Sequence, residues 1–513
     1  MLIKDSQGPS QSIKNRREQC EQLQRELMAK RSLIIAANRA PVTFSHNEAG
    51  ELTYERGGGG LVTALSGLAQ NVDSTWIGSA ITDADREWGG GLLPLDDSGA
   101  KLRIRFVDPP PDAYDAYYNV ISNPLLWFLQ HGMWNIARAP TITRQTWQAW
   151  EAGYVEVNGL FADAIADQIN KSEESPLVMI QDYQLYLAPK MVRQRTMGER
   201  RYTLMHFTHI PWPGTEDLGI LPPAMRTAIL EGMLACDLVG FQTKEDALNF
   251  IRSCESHLSR VDVTFRKGRI WYKNHATYVR DFPISIDIDA LRRVAASEEA
   301  EKYRLLFESQ LAEMQLIVRI DRTEPSKNIV RGFQAFDEML ELYPEFCGKV
   351  QFLAMLVPSR MEVEQYQDYL DELMAAAGRV NAKHGGSEWE PVRVLVGENY
   401  ARAVAALQLY DVLLVNSIAD GMNLVAKEGP LVNRKNGVVI LSERTGARQQ
   451  LEVGSIVIPP CDVYATAEAI HQALIMPVDE RQEMALRLRW TVEREDINDW
   501  LCRQLEFIAE LNL

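Results

Sequence analysis

Apolar residues along this chain fall into short unbroken runs separated by helical stretches, and the runs form two series. The first is LIIAAN at 33–38, TWIGSA at 75–80, LVMIQDY at 177–183, YTLMHFTHI at 202–210 and LVGFQT at 238–243. The second is MQLIVRID at 314–321, KVQFLAMLV at 349–357, VRVLVG at 392–397, DVLLVNS at 411–417 and GVVILSE at 437–443. Runs without polar alternation fit parallel strands covered on both faces. Two such series predict two doubly wound α/β domains. FPISID at 282–287 breaks the pattern between them, and a charged helical stretch over 289–313 follows. Residues 1–31 read as a polar extension in which Cys20, Leu23 and Leu27 recur at helical spacing. Near the end, Ile497, Trp500, Leu501, Ile508 and Leu511 recur at three- and four-residue steps, which predicts a helix. The expected division is an extension at 1–31, a first domain at 32–284, a second at 285–480 and a terminal helix at 481–513.

Composition narrows the class. The chain has 513 residues, 46% of them hydrophobic and 24% charged, which excludes general disorder and exceeds one comfortable domain. Lys plus Arg is 54 against 70 Asp plus Glu, a net charge of −16. Bulk electrostatics therefore cannot hold a nucleic-acid backbone, and no nucleic-acid partner is expected. An anionic ligand needs a local cluster of cations working against the global field. No apolar run approaches the roughly 18 residues of a membrane span. The N-terminus, MLIKDSQGPSQSIKNRREQCEQ, has no apolar stretch of signal-peptide type. Six scattered cysteines without a CxxC pair read as reduced, mostly buried thiols of a cytoplasmic protein. No spacing resembles a metal site, so neither metal nor cofactor is expected.

In open α/β sheets ligands sit beyond the carboxyl ends of strands, and five polar segments fall there. ERGGGGLVTALSGLA (55–69) places Gly57 to Gly60 before a helix carrying Leu61, Ala64, Leu65 and Leu68; it reads as a phosphate or sugar loop, or as a merely flexible one. VRIDRTEPSKN (318–328) brings Arg322 and Lys327 to one turn, suited to a diphosphate whose charge grows during reaction, or to a solvated surface. NSIADGMNLVAKE (416–428) puts Asp420 near an N-cap, with the amides of Gly421 to Asn423 free to donate and Glu428 two turns in. HFTHIPWPGTED (206–217) fixes His209 with two prolines, as a catalytic or a structural histidine. QDYQLYLAP (181–189) has Asp182 as its polar tip.

DGMNLVAKE, the Arg-x4-Lys pair, HIPWP, QDYQL, FQT and YYNVISNPLLW, in the order this chain carries them, resemble the trehalose-6-phosphate synthase family of retaining glycosyltransferases, glycosyltransferase family 20, over roughly 33–510. The resemblance implies a GT-B fold: an acceptor domain and a nucleotide-sugar domain, both Rossmann-like, facing across a cleft, with the C-terminal helix crossing back to the first. It implies transfer of glucose from a nucleotide-diphosphate glucose (UDP or GDP) to glucose 6-phosphate, both as substrates. On the donor side it implies that Arg322 and Lys327 grip the diphosphate and that Asp420 binds glucose hydroxyls beside Gly421, Met422, Asn423 and Leu424. Glu428 then binds the ribose, His209 the region of the glucose 6-hydroxyl, and Gly60 the donor phosphates. On the acceptor side it implies Arg39, Tyr118, Trp127, Asp182 and Arg360, with Arg39 and Arg360 as phosphate holders.

Departures bear on the acceptor. The family reads HDYHL where this chain has Gln181-Asp182-Tyr183-Gln184-Leu185, and RLDYSKG where it has RTEPSKN. Relatives on the same scaffold use glycerol 3-phosphate or cyclitol phosphates, and a noncatalytic sugar-phosphate sensor is a reading from another class. Intact Arg322, Lys327, Asp420 and Glu428 weigh against the sensor. An NAD dehydrogenase fits two α/β domains but lacks GxGxxG with its acidic follower. Self-association into a homo-oligomer stays open.

Overall fold

The computed structural model describes residues 9–29, 31–57, 73–94, 101–196, 201–311 and 313–511. Gly60 and the expected helix after it, Leu61, Ala64, Leu65 and Leu68 included, lie outside the described residues. The chain divides into two compact units, Met1–Pro283 with Ile497–Leu513, and Ile284–Asp496.

All ten runs form strands. In the first unit the parallel strands are β1 (Leu33–Ala36), β2 (Ser74–Ser79), β3 (Lys101–Val107), β4 (Leu177–Gln181), β5 (Thr203–Phe207), β6 (Leu238–Phe241) and β7 (His275–Asp281). They pair in the order β7-β6-β5-β4-β1-β2-β3, with short antiparallel strands on both edges. In the second unit they are β8 (Gln315–Arg322), β9 (Val350–Val357), β10 (Val392–Val396), β11 (Val412–Val415), β12 (Val438–Ser442) and β13 (Ser455–Ile458). Their order is β10-β9-β8-β11-β12-β13, and every pairing is parallel. Both orders grow outward from a first strand and then reverse, the Rossmann pattern, with the switch between β1 and β4 and between β8 and β11. Helices cover the sheets because both faces are apolar: Ile317, Phe352, Leu414 and Ile440 of the second sheet pack with Phe333, Phe336 and Ile470 from helices. Each such buried side chain contributes about 1.5–3 kcal/mol relative to exposure.

One expectation needs correction. The terminal segment is not one helix. It is Val478–Arg494, within the second unit, and Ile497–Glu510, within the first, with a break at Glu495–Asp496. Residues 481–496 therefore stay with the second unit. The polar extension is the helix Pro9–Met28, and it packs on Ile497–Glu510. Arg16 grips Glu506 with both amino nitrogens (2.5 and 3.0 Å) and Asp499 through Nε (3.1 Å). Strands with polar alternation were missed by the sequence reading, among them the hairpin Val42–His46 with Leu52–Arg56. All six cysteines are free thiols, four of them buried. No described helix is long and apolar enough to cross a membrane.

Candidate active site

In the second unit the predicted residues gather at the switch between β8 and β11. Strand β8 ends at Arg322, and a single 3-10 turn, Pro325–Lys327, follows. Lys327 Nζ lies 2.5 Å from Asp420 Oδ2, which also accepts from Ser417 Oγ (3.2 Å) and Asn423 Nδ2 (3.0 Å). Burial alone would lower the ammonium of Lys327, but Asp420 and Asp321 outweigh it and hold it above the ordinary lysine value. Arg319 supports the turn from below, bonding Asp321 Oδ2 (2.9 Å) and the Lys327 carbonyl (2.8 Å). Arg322 is half exposed, with Nη1 3.1 Å from Glu324 Oε1. Arg360, after β9, is held by Glu324 (2.8 Å) and Tyr366 Oη (3.0 Å).

Asp420 is not the helix cap. Leu424 occupies that position before the helix Val425–Val432, and the Asn423 side chain accepts from the Ala426 amide (3.2 Å). Glu428 consequently stands in the first turn rather than two turns in. The Asp420–Met422 stretch is pinned from beneath, since the amides of Gly446 and Ala447 bond the carbonyls of Asp420 and Met422 at 3.1 and 3.0 Å. A Cβ on Gly446 would fall 1.8 Å from the Gly421 carbonyl oxygen, so only glycine allows this approach. Among the described residues, none accepts a hydrogen bond from the amides of Gly421, Met422, Asn423, Leu424 or Val425. Asn423 is left-handed (φ 69°) and stands just before a helix start, where unpaired amides favour an anion. Glu428 Oε1 accepts from Tyr400 Oη (3.0 Å), and burial raises its carboxyl above the usual range.

In the first unit, Arg39, Asp182 and His209 follow the adjacent strands β1, β4 and β5. Arg39 is exposed, while its carbonyl accepts from Trp76 Nε1 (3.2 Å). Asp182 has φ 70°, and its Oδ1 accepts the His209 amide (3.1 Å). His209 donates through Nε2 to Gln181 Oε1 (3.0 Å) and accepts at Nδ1 from Gln242 Nε2 (3.3 Å). A carboxamide oxygen can only accept, so Gln181 sets the tautomer of His209. Burial takes the imidazoles of His206 and His209 down to about 3, so both are neutral. A sugar hydroxyl bonding a ring nitrogen of His209 must displace one of the two amides. Tyr118 stacks on Tyr114 with ring centroids 5.6 Å apart. Trp127 is buried against His131, with centroids 4.0 Å apart.

Sequence reasoning missed four residues of these sites. Gln242 and Tyr400 hold the predicted His209 and Glu428 from far along the chain. Glu324 anchors two predicted cations. Lys427, inside DGMNLVAKE, is buried and donates to the Ile284 carbonyl (2.6 Å) and Gln450 (2.7 Å). A charged residue on the inner face of a helix, one place from Glu428, was its available signal. Among the described residues no group of three or more His, Cys, Asp or Glu stands where it could hold a metal.

The family model of glycosyltransferase family 20 matches residues 31–511. The chain is 32% identical over 497 residues to the alpha,alpha-trehalose-phosphate synthase [UDP-forming] of Schizosaccharomyces pombe, covering 94% of this chain and 90% of that one. A solved Escherichia coli structure with bound UDP-2-fluoro glucose superposes with a TM-score of 0.79 at 27% identity, over 94% of this chain and 98% of the other. The Burkholderia xenovorans alpha,alpha-trehalose-phosphate synthase in complex with glucose-6-phosphate gives 0.78 at 25% identity, over 94% and 100%. With the strand order and the switch-point cluster, these matches decide the family: the chain belongs to glycosyltransferase family 20 and is a glycosyltransferase of the GT-B class.

Proposed function

We propose that this enzyme transfers glucose from UDP-glucose to glucose 6-phosphate, releasing UDP and forming trehalose 6-phosphate with retention at the anomeric carbon. The observation that carries the reading is the second unit's switch-point cluster. A buried Lys327–Asp420 pair stands beside Arg322 and a run of amides open to an anion. That set offers cations and N–H donors to a diphosphate and a carboxylate to sugar hydroxyls. Relatives named UDP-forming trehalose-phosphate synthases support UDP as the nucleotide.

Retaining hydrolases flank the anomeric carbon with two carboxylates about 5–5.5 Å apart, one of them a nucleophile. Here Asp420 is already occupied by Lys327, Ser417 and Asn423, which suits a hydroxyl acceptor rather than an attacking group. We therefore favour a front-face route. UDP departs first, Arg322 and Lys327 stabilise the charge gathering on its phosphate, and that phosphate takes the proton of the acceptor hydroxyl on the same face. In the first unit Asp182 and Arg39 are assigned to the acceptor, with His209 a neutral group positioned by Gln181 and Gln242. Protein work is then positioning and electrostatics.

The test crosses UDP- and GDP-glucose with glucose 6-phosphate, glycerol 3-phosphate, a cyclitol phosphate and free glucose, read by nucleotide release and product mass. UDP-glucose with glucose 6-phosphate should give the highest kcat/KM. A preference for any other pair would replace the assignment, and a cyclitol or glycerol phosphate would trace it to Gln181 and Gln184.

A further inference from the structure

We propose that Glu324 is a positioning residue that sets the spacing between the guanidinium for the donor diphosphate and the guanidinium for the acceptor phosphate. The inference rests on the role proposed above for Arg322 and on the acceptor-phosphate role that the resemblance implies for Arg360. One carboxylate oxygen, Glu324 Oε1, lies 3.1 Å from Arg322 Nη1, 2.8 Å from Arg360 Nη1 and 3.3 Å from Ser359 Oγ. Glu324 is 2% exposed. A carboxylate so far out of water persists where cations pair with it, and the cations here are two of the three assigned to phosphates in this unit.

The two cations depend on Glu324 unequally. Arg360 is the more buried partner, its side chain 10% exposed, so its pair with Glu324 is the less screened of the two, and Tyr366 Oη shares the same Nη1 with its ring 5.3 Å beneath the guanidinium. Its backbone is also left-handed (φ 49°), a cost that persists only where surroundings over-determine the conformation. Arg322 is 55% exposed, so the Glu324 contact limits the rotamers of a long side chain. The shared carboxylate meets each guanidinium at a single nitrogen, Nη1. A single fixed oxygen thus spaces two anion-holding forks. The device selects acceptors by how far a phosphomonoester lies from the reacting hydroxyl.

The experiment is calorimetric titration of UDP and of glucose 6-phosphate, separately, into the full chain and its E324Q, E324D, R360A and E324Q/R360A variants. E324Q should weaken glucose 6-phosphate by about tenfold and UDP by about threefold. In the R360A background E324Q should change glucose 6-phosphate affinity by less than about twofold, because the residue acts through Arg360. E324D keeps charge and fold but draws the oxygen back, and should lose acceptor affinity like E324Q. Glucose 6-phosphate affinity within about twofold of wild type in E324Q or E324D, or equal losses with and without Arg360, overturns the proposal. Turnover of UDP-glucose with glucose 6-phosphate by wild type, run alongside, reports the function itself. A wild type that binds both ligands but makes no product refutes that function and leaves the Glu324 comparison readable.

Discussion

Replacing Lys327 by methionine separates the catalytic from the structural weight of the Lys327–Asp420 pair. Both side chains are roughly nine-tenths buried and 2.5 Å apart, so K327M strands a carboxylate. Breaking a buried pair from one side costs about 3–5 kcal/mol. Asp420 keeps two neutral donors, Ser417 and Asn423, which places the loss near the lower end, about 3 kcal/mol. For a unit of this size each kcal/mol moves Tm by about 2–4 °C, so a fall of about 6–12 °C is expected by calorimetry. The double variant K327M/D420N strands no charge, because the neutral carboxamide that replaces the carboxylate can still bond Ser417 and Asn423, and Tm should largely return. Turnover should not. K327M should lose on the order of 10²-fold in kcat through the unstabilised leaving phosphate, and the double variant at least as much. Recovery of kcat together with Tm would mean the pair is scaffold only. Turnover by K327M within about threefold of wild type would refute the leaving-group role outright.

Three further outcomes follow from the same geometry. His206 is fully buried and its folded value falls to about 3, below the ordinary 6.5, so stability is present above pH 6.5 and lost as pH falls toward 3. Linkage gives about 2 kcal/mol lost at pH 5 from this residue, which urea titrations of wild type and His206→Asn should resolve as different pH slopes; equal slopes would contradict it. Asp246 works the other way: burial raises it from 3.8 to about 6, so its contribution grows as pH drops from 6 to 4, and Asp246→Asn should steepen acid loss, an unchanged curve telling against it. Asp182→Asn keeps an oxygen for the His209 amide and tolerates φ 70°, so it should fold, raise the acceptor KM by about tenfold and leave UDP affinity unchanged, whereas weakened UDP binding would overturn its acceptor assignment.

Much of this architecture is legible in the chain because a parallel strand covered on both faces must be apolar throughout. VQFLAMLV and VVILS announce themselves that way, and each becomes a strand. The strand Val42–His46 alternates buried and exposed positions and has no unbroken apolar run to mark it. The break at Glu495–Asp496 hid for a related reason: apolar periodicity continues across it, and only Asp496, a residue type that favours helix starts, marks the restart. Motif order located Arg322, Lys327, Asp420 and His209. What motifs could not carry is who holds them. Gln242 meets His209, and Tyr400 meets Glu428, across separations of 33 and 28 residues that only the folded sheet closes. Arg360 illustrates the limit best, since a guanidinium expected to be free for an acceptor phosphate is tied by Glu324, thirty-six residues earlier.

The most direct measurement is proton NMR of a reaction containing the enzyme, UDP-glucose labelled with carbon-13 at the anomeric position, and glucose 6-phosphate. The account predicts one new phosphorylated disaccharide with the label in an α linkage, formed in step with UDP. Label appearing as free glucose, in a β linkage, or only as unreacted donor would contradict it.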